Sequence, residues 1–182
     1  MQNKIENTTP PDLEFVYLLF DRAIEYQKRK GYPAWRGFDK GTLMDDVANQ
    51  NQYKIVIESQ IAIVFSICYT DKVIWREAER GDAVYLHRIV VNPSFKGQKL
   101  VEPIVDWTIE HAKHRGLRFV RMDTWQHNPN IIEYYKSFGF AFVGNYTTPD
   151  TLELPLQNRN LALALLELEV KAPRVAVNYN PF

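Results

Sequence analysis

Between Ala83 and Thr124 the chain runs through an apolar strand, a Pro/Gly turn, a helix and a second strand. No other segment restricts the fold as much. Ala83–Val91 is rich in Val, Ile and Leu, and Asn92-Pro93 and Gly97 interrupt it. Leu100–Arg115 has helical spacing and stops at Gly116, and Leu117–Thr124 is extended again. Two strands joined through one helix lie parallel, with a right-handed crossover. This strand–helix–strand unit is the expected seat of a ligand.

The flanking segments build an α+β fold around it. Pro10–Lys30 places Leu13, Val16, Tyr17, Phe20 and Ile24 at helical spacing, with Asp12 as a cap and Gly31 as a stop. A second helix is expected over Lys40–Asn49, with Leu43, Met44 and Val47 inward. The Gly/Pro/aromatic loop before it contains Trp35. Tyr53–Glu58 and Gln60–Tyr69 read as an antiparallel hairpin, and Asp71–Asp82 as a charged connector. After the parallel pair come a short helix over Asn130–Phe138 ended by Gly139 and a strand beginning over Phe140–Asn145. A final strand follows over Leu161–Val170, whose Leu/Ala content would also suit a helix. Nothing splits the chain, so residues 1–182 are expected to form one domain, with 171–182 as a tail.

Composition narrows the function. With 182 residues and 46% hydrophobic content, the chain can bury roughly 70% of its unfolded surface without a disulfide or structural metal. Lys+Arg and Asp+Glu are each 22, which lacks the basic excess of a nucleic-acid binder. One cysteine, Cys68, forms no intrachain disulfide, and the polar start resembles no signal peptide. The apolar run Ile61–Cys68 is too short to cross a bilayer. The expectation is a cytoplasmic protein that binds neither nucleic acid nor membrane. The 13% aromatic content suits a core or a ligand cleft.

Two stretches carry chemistry. In YLHRIVVNPSFKGQKLV (Tyr85–Val101), a strand passes through Asn92-Pro93 into a loop and a helix start. There backbone N–H groups can cradle phosphate, helped by Lys96 and Lys99. Alone, the stretch reads equally well as a polar turn with two solvated lysines. In DTWQHNPNIIEYYKSFGF (Asp123–Phe140), Asn128 precedes a short helix, and Tyr135 lies four residues before Gly139-Phe140. Tyr134 and Tyr135 would otherwise be packing aromatics. His87 shares a strand face with Tyr85 and Ile89, where it would serve as a general base or as a hydrogen-bonded sheet histidine. Asp123 and His127 are alternative bases by position. His111 and His114 have no third metal ligand at matching spacing, so no metal is expected. Trp35, Trp75 and Trp125 would line a substrate pocket or pack.

In their order and separation the two stretches resemble the GNAT superfamily of acyl-CoA-dependent N-acetyltransferases. Lys96-Gly97-Gln98-Lys99-Leu100-Val101 stands where that family carries R/Q-x-x-G-x-G/A. Asn128, Ile131, Tyr135, Gly139 and Phe140 match its later N-x-x-A-x-x-x-Y-x-x-x-G-F segment. The first match is degenerate: Lys99 and Val101 replace glycines, and side chains there are expected to narrow the cradle. The resemblance implies a mixed, mostly antiparallel sheet with a splayed parallel pair, flanked by helices. It also implies acetyl-CoA as cosubstrate. Lys96–Val101 would bind its pyrophosphate, while Ile89 and Val91 would pair with the pantetheine arm. Val90 would offer an N–H to the thioester oxygen, Asn128 would hydrogen-bond the arm, and Tyr135 would protonate the leaving thiolate. The acceptor is then a primary amine on a small molecule or peptide, met by Trp35, Asp123 and Trp125. It attacks directly, which leaves Cys68 no nucleophilic role. A homodimer fits the family. The competing reading is a non-catalytic CoA-binding or ligand-sensing module.

Overall fold

A computed structural model describes residues 4–32 and 35–171. Seven strands form one sheet: β1 (Ile5–Asn7), β2 (Gln52–Ile57), β3 (Gln60–Cys68), β4 (Ala83–Val91), β5 (Phe119–Trp125), β6 (Ala141–Thr147) and β7 (Ala162–Glu169). Their order is β1-β2-β3-β4-β5-β7-β6, and every neighbouring pair is antiparallel except β4–β5. The sequence is thus right about the mixed sheet and its one parallel pair. The Leu/Ala-rich segment is a strand, because it fits between β5 and β6 and is paired along both edges. The tail beyond Lys171 lies outside the described residues.

Side-chain alternation divides the helices between the two faces. On one face α1 (Leu13–Arg29) buries Val16, Leu19 and Phe20, and α2 (Lys40–Ala48) buries Leu43. These meet Ile61, Val64 and Val90 of the sheet. On the other face α4 (Val101–His114) and α5 (Pro129–Lys136) cover Ile63, Val84, Leu86, Val120 and Met122. Two elements escape sequence periodicity. Strand β1 has three residues, too few for a period. A one-turn helix, α3 (Lys72–Trp75), sits inside the charged connector. Its anchor is Trp75, buried against Tyr85 and under the Arg121 guanidinium, so Trp75 packs rather than bordering the large cavity described below.

The parallel pair is short. Its register runs only from Ala83↔Phe119 to Tyr85↔Arg121. Beyond that, β4 continues to Val91 alongside β3 alone, and β5 to Trp125 alongside β7 alone. The two strands therefore diverge, leaving a wedge. Within it β4 bulges: the register slips opposite Val64–Ser66, and Arg88 adopts φ +53°. Arg88 Nη2 donates to Asp46 Oδ2 of α2 at 2.5 Å, tying the bulge to the helix layer.

Candidate active site

The wedge opens into a cavity of about 960 Å³, bordered by α1, the α1–α2 loop, α3, both diverging strands and the start of α4. At one end lies the turn after β4. Asn92 is buried; its amide donates to Ile61 O at 2.8 Å and its oxygen accepts from Ser94 N, which fixes the entry to Pro93. The N–H groups of Lys96, Gln98 and Glu102 are taken by the carbonyls of Pro93, Phe95 and Lys99. Among the described residues, those of Gly97, Lys99, Leu100 and Val101 have no backbone partner. They gather at the N-terminus of α4, where the helix dipole favours an anion.

The substituted glycine positions behave differently from each other. Lys99 adopts φ +52°, so the backbone keeps a glycine-like conformation despite its side chain, which projects outward. Val101 does not narrow the cradle. Its side chain is 7% exposed and packs in the core with Ile104 and Val105, leaving its N–H at the helix start. Lys96 turns away toward α1, donating to Tyr26 Oη at 2.7 Å and lying over its ring. Gln98, Lys99 and Leu100 also border the cavity.

Across the wedge, Asn128 caps α5 through Oδ1, which accepts from Ile131 N at 3.3 Å. Its NH2 group is left as a donor toward the cavity. Tyr135 is 7% exposed, borders the same cavity and packs against Phe140. Burial, then Tyr134, then the Asp123 charge raise its phenol above the ordinary range, so it is a proton donor at every physiological pH. Tyr134 also reaches the cavity but is 38% exposed.

The opposite face of the wedge holds a cluster of titratable groups. Strand parity puts His87 (β4) and Asp123 (β5) on the face shared with Tyr85 and Trp125, just past the last paired residues. Asp71 joins them from the end of the β3–α3 connection. His87 Nε2 lies 3.5 Å from Asp71 Oδ2 and Nδ1 lies 3.7 Å from Asp123 Oδ1. The three groups fall within 4.8 Å of one another, close enough for metal ligands. Each carboxylate, however, addresses a different ring nitrogen, an arrangement that suits shared protons better than one central ion. Burial, followed by the Asp71 charge, raises Asp123 to about 7. Burial raises Asp71 to about 6 against its Ile74 amide bond, with Glu79 adding to the rise. Burial and then the Arg88 charge depress His87, keeping the imidazole neutral.

Asp71 is the member that motif reasoning missed. Its Oδ1 caps α3 by accepting from Ile74 N at 3.2 Å, and its own N–H donates to Glu79 Oε2 at 2.8 Å. Oδ2 is left buried without a hydrogen-bond partner. The available signal was the Asp-x-x-Ile cap pattern in the charged connector. The other candidates disperse. His127 is exposed in the turn after β5, away from the cavity. His111 is stacked on Trp107 and bonded to Tyr69 Oη, and His114 contacts Glu110 O. Cys68 borders the cavity, but burial pushes its thiol up to about 12. Trp35, stacked on Phe20, and Trp125 both line the cavity, on the same side as the Asp71–His87–Asp123 cluster.

Residues 46–140, just over half the chain, match the model of the acetyltransferase (GNAT) family. The chain belongs to the GNAT family. This GNAT protein is 26% identical over 141 residues to an uncharacterized N-acetyltransferase of Methanocaldococcus jannaschii. The match takes in 75% of this chain and 59% of the relative, so the chain spans less than two thirds of that protein's length. A GNAT-family acetyltransferase structure from Listeria monocytogenes superposes with a TM-score of 0.75 at 20% identity, covering 92% of this chain and 94% of that one. YncA from Salmonella typhimurium, solved with its cofactor acetyl-CoA, gives a TM-score of 0.66 at 15% identity, covering 96% and 97%. At these identities the likeness is one of fold. Among the described residues no helix is long and apolar enough to cross a membrane.

Proposed function

We propose that the protein transfers an acetyl group from acetyl-CoA to a primary amine by direct attack. The observation that carries this reading is the wedge between β4 and β5. It has a cradle of unpartnered amides at one end and a buried tyrosine and carboxylate at its walls. The residues fit the cosubstrate. Backbone N–H groups of Gly97, Lys99, Leu100 and Val101 meet the pyrophosphate without glycine at positions 99 and 101, and Lys99 adds charge. Ile89 and Val91, unpaired on the β5 side, take the pantetheine arm as β4 would take another strand. Asn128 donates to the arm, and the N–H near Val90 polarises the thioester carbonyl.

The acceptor arrives as an ammonium and loses one proton before attack. Asp123, raised to about 7, takes it, because a base is most effective when its pKa lies near the working pH. His87 stays neutral beside Asp123 and shares that proton. The amine nitrogen then bonds to the carbonyl carbon and the carbon–sulfur bond breaks. Tyr135 protonates the departing thiolate and recovers its proton from the nitrogen through solvent. One proton in total is released, and no covalent enzyme intermediate forms.

Acetyl-CoA is expected to raise the melting temperature. At about 100 times its dissociation constant a native-state ligand adds roughly 2.7 kcal/mol. Release of free thiol with an amine panel then tests turnover. A shift without turnover would favour the sensing module, and no shift at millimolar acetyl-CoA would sink both readings.

A further inference from the structure

The acceptor side of the cavity has a two-part character. Its floor holds the carboxylates of Asp71 and Asp123, both within 4.8 Å of the intervening His87 and of each other. Arg88, the cation next to His87 on β4, is committed to Asp46. One floor oxygen, Asp71 Oδ2, is buried with no hydrogen-bond partner. It is held in place from behind by the Ile74 and Glu79 bonds. Beside the floor stand apolar side chains: Trp35 and Phe38 from the α1–α2 loop, Ile74 from α3, and Trp125 and Leu163 from β5 and β7. The cavity's other carboxylate, Asp39, caps α2 by accepting from Thr42 N. A second anion near the reacting nitrogen would meet two carboxylates in a poorly screened site. A second cation lying between Trp35 and Trp125 would be desolvated against indole and alkyl surface.

Resting on the acetyltransferase reading, we propose that the acceptor is a primary ammonium carried on an apolar, ring-sized body, without a carboxylate beside the amine. Asp71 Oδ2 receives one N–H of that ammonium and Asp123 a second, while the body lies between Trp35 and Trp125. An ammonium supplies the donors that the floor lacks, and its charge offsets two carboxylates brought together by folding.

Three amines that differ in one group each test this. Phenethylamine is expected to be acetylated with a kcat/KM at least about tenfold above that of phenylalanine, which adds only the carboxylate. The same margin is expected over putrescine, which replaces the ring with a second ammonium. Asp71→Asn keeps the oxygen that caps α3. It should raise the KM for phenethylamine about tenfold or more, while the acetyl-CoA thermal shift and the KM for acetyl-CoA stay unchanged. If phenylalanine or putrescine matched phenethylamine, or if Asp71→Asn left the amine KM where it was, the acceptor assignment would be overturned with the acetyltransferase reading intact. If acetyl-CoA gave no shift and none of the three amines were acetylated, the acetyltransferase reading would fail and carry this assignment down with it.

Discussion

Tyr135 and Tyr134 are adjacent, both phenolic and both within reach of the cavity, yet only Tyr135 is buried against the core and within range of the Asp123 charge. Tyr135→Phe is therefore expected to lower the acetylation rate roughly 10²–10⁴-fold with the acetyl-CoA thermal shift retained. Tyr134→Phe should do far less. Single-turnover assays of the two variants side by side check this, and equal losses would remove Tyr135 as the acid. At Asp123, the saturated rate should rise with pH through about 7 as the carboxylate ionises. Asp123→Asn should lower the rate and abolish that limb; a limb that survives the substitution belongs to another group. In the sequence, strand parity pointed to His87, position alone to Asp123, and the family resemblance to Tyr135, which spacing by itself leaves as a packing aromatic. Asp71 was not legible there. Its role arises from where a connector crosses the sheet end, and no local periodicity encodes that crossing.

Among the elements, the β4 bulge hangs on one ion pair. Arg88 holds a left-handed conformation that costs a non-glycine residue roughly 1–2 kcal/mol, and Asp46 on α2 grips its guanidinium. Asp46→Ala should destabilise the protein by about 1.5–3 kcal/mol, the range for a hydrogen bond to a charged group. In an Arg88→Gly background, where φ +53° is unstrained and the guanidinium is gone, the same change should cost almost nothing. Urea denaturation of the four proteins measures the coupling. The start of α4 reverses a sequence expectation. Opening the loop with Val101→Gly looks favourable from the motif, but the side chain is in the core. The variant should lose roughly 2–4 kcal/mol of stability and gain no affinity for CoA, as calorimetric titration would show. The helices and long strands were readable because their apolar periods are unbroken, although Met44, expected inward on α2, is 53% exposed and only Leu43 and Val47 of that helix are buried. Strand β1, helix α3 and the direction of Val101 were not readable, because each depends on contacts with distant segments.

Across the whole molecule, the Asp71–His87–Asp123 cluster ties stability to pH. Both carboxylates are raised, so between about pH 4 and about pH 7 the folded protein holds protons that the unfolded chain has released. His87 is depressed and works in the opposite direction below its ordinary pKa of 6.5. Within the cluster, two raised acids against one depressed base leave the folded state with the excess. The cluster's own contribution to stability therefore falls as pH rises through this window, while His111, also depressed by burial, works in the opposite direction elsewhere. The melting-temperature advantage of the wild type over Asp123→Asn should therefore shrink from pH 4.5 to 8. A difference that grew over that range would mean that Asp123 is not raised in the fold.

The strand order has a consequence for how the chain is made. Strand β7 lies between β5 and β6 although it is the last of the seven to leave the ribosome. Until it emerges, β5 has an open edge beside the reaction wedge and β6 has no neighbour at all, with Phe142 and Val143 exposed along it. A nascent chain stalled before Ala162 is thus a half-built sheet with two sticky borders, the state most prone to capture by another copy or by a chaperone. The β5 wall of the wedge gains its second neighbour last, so the wedge closes into shape only after synthesis has passed beyond it.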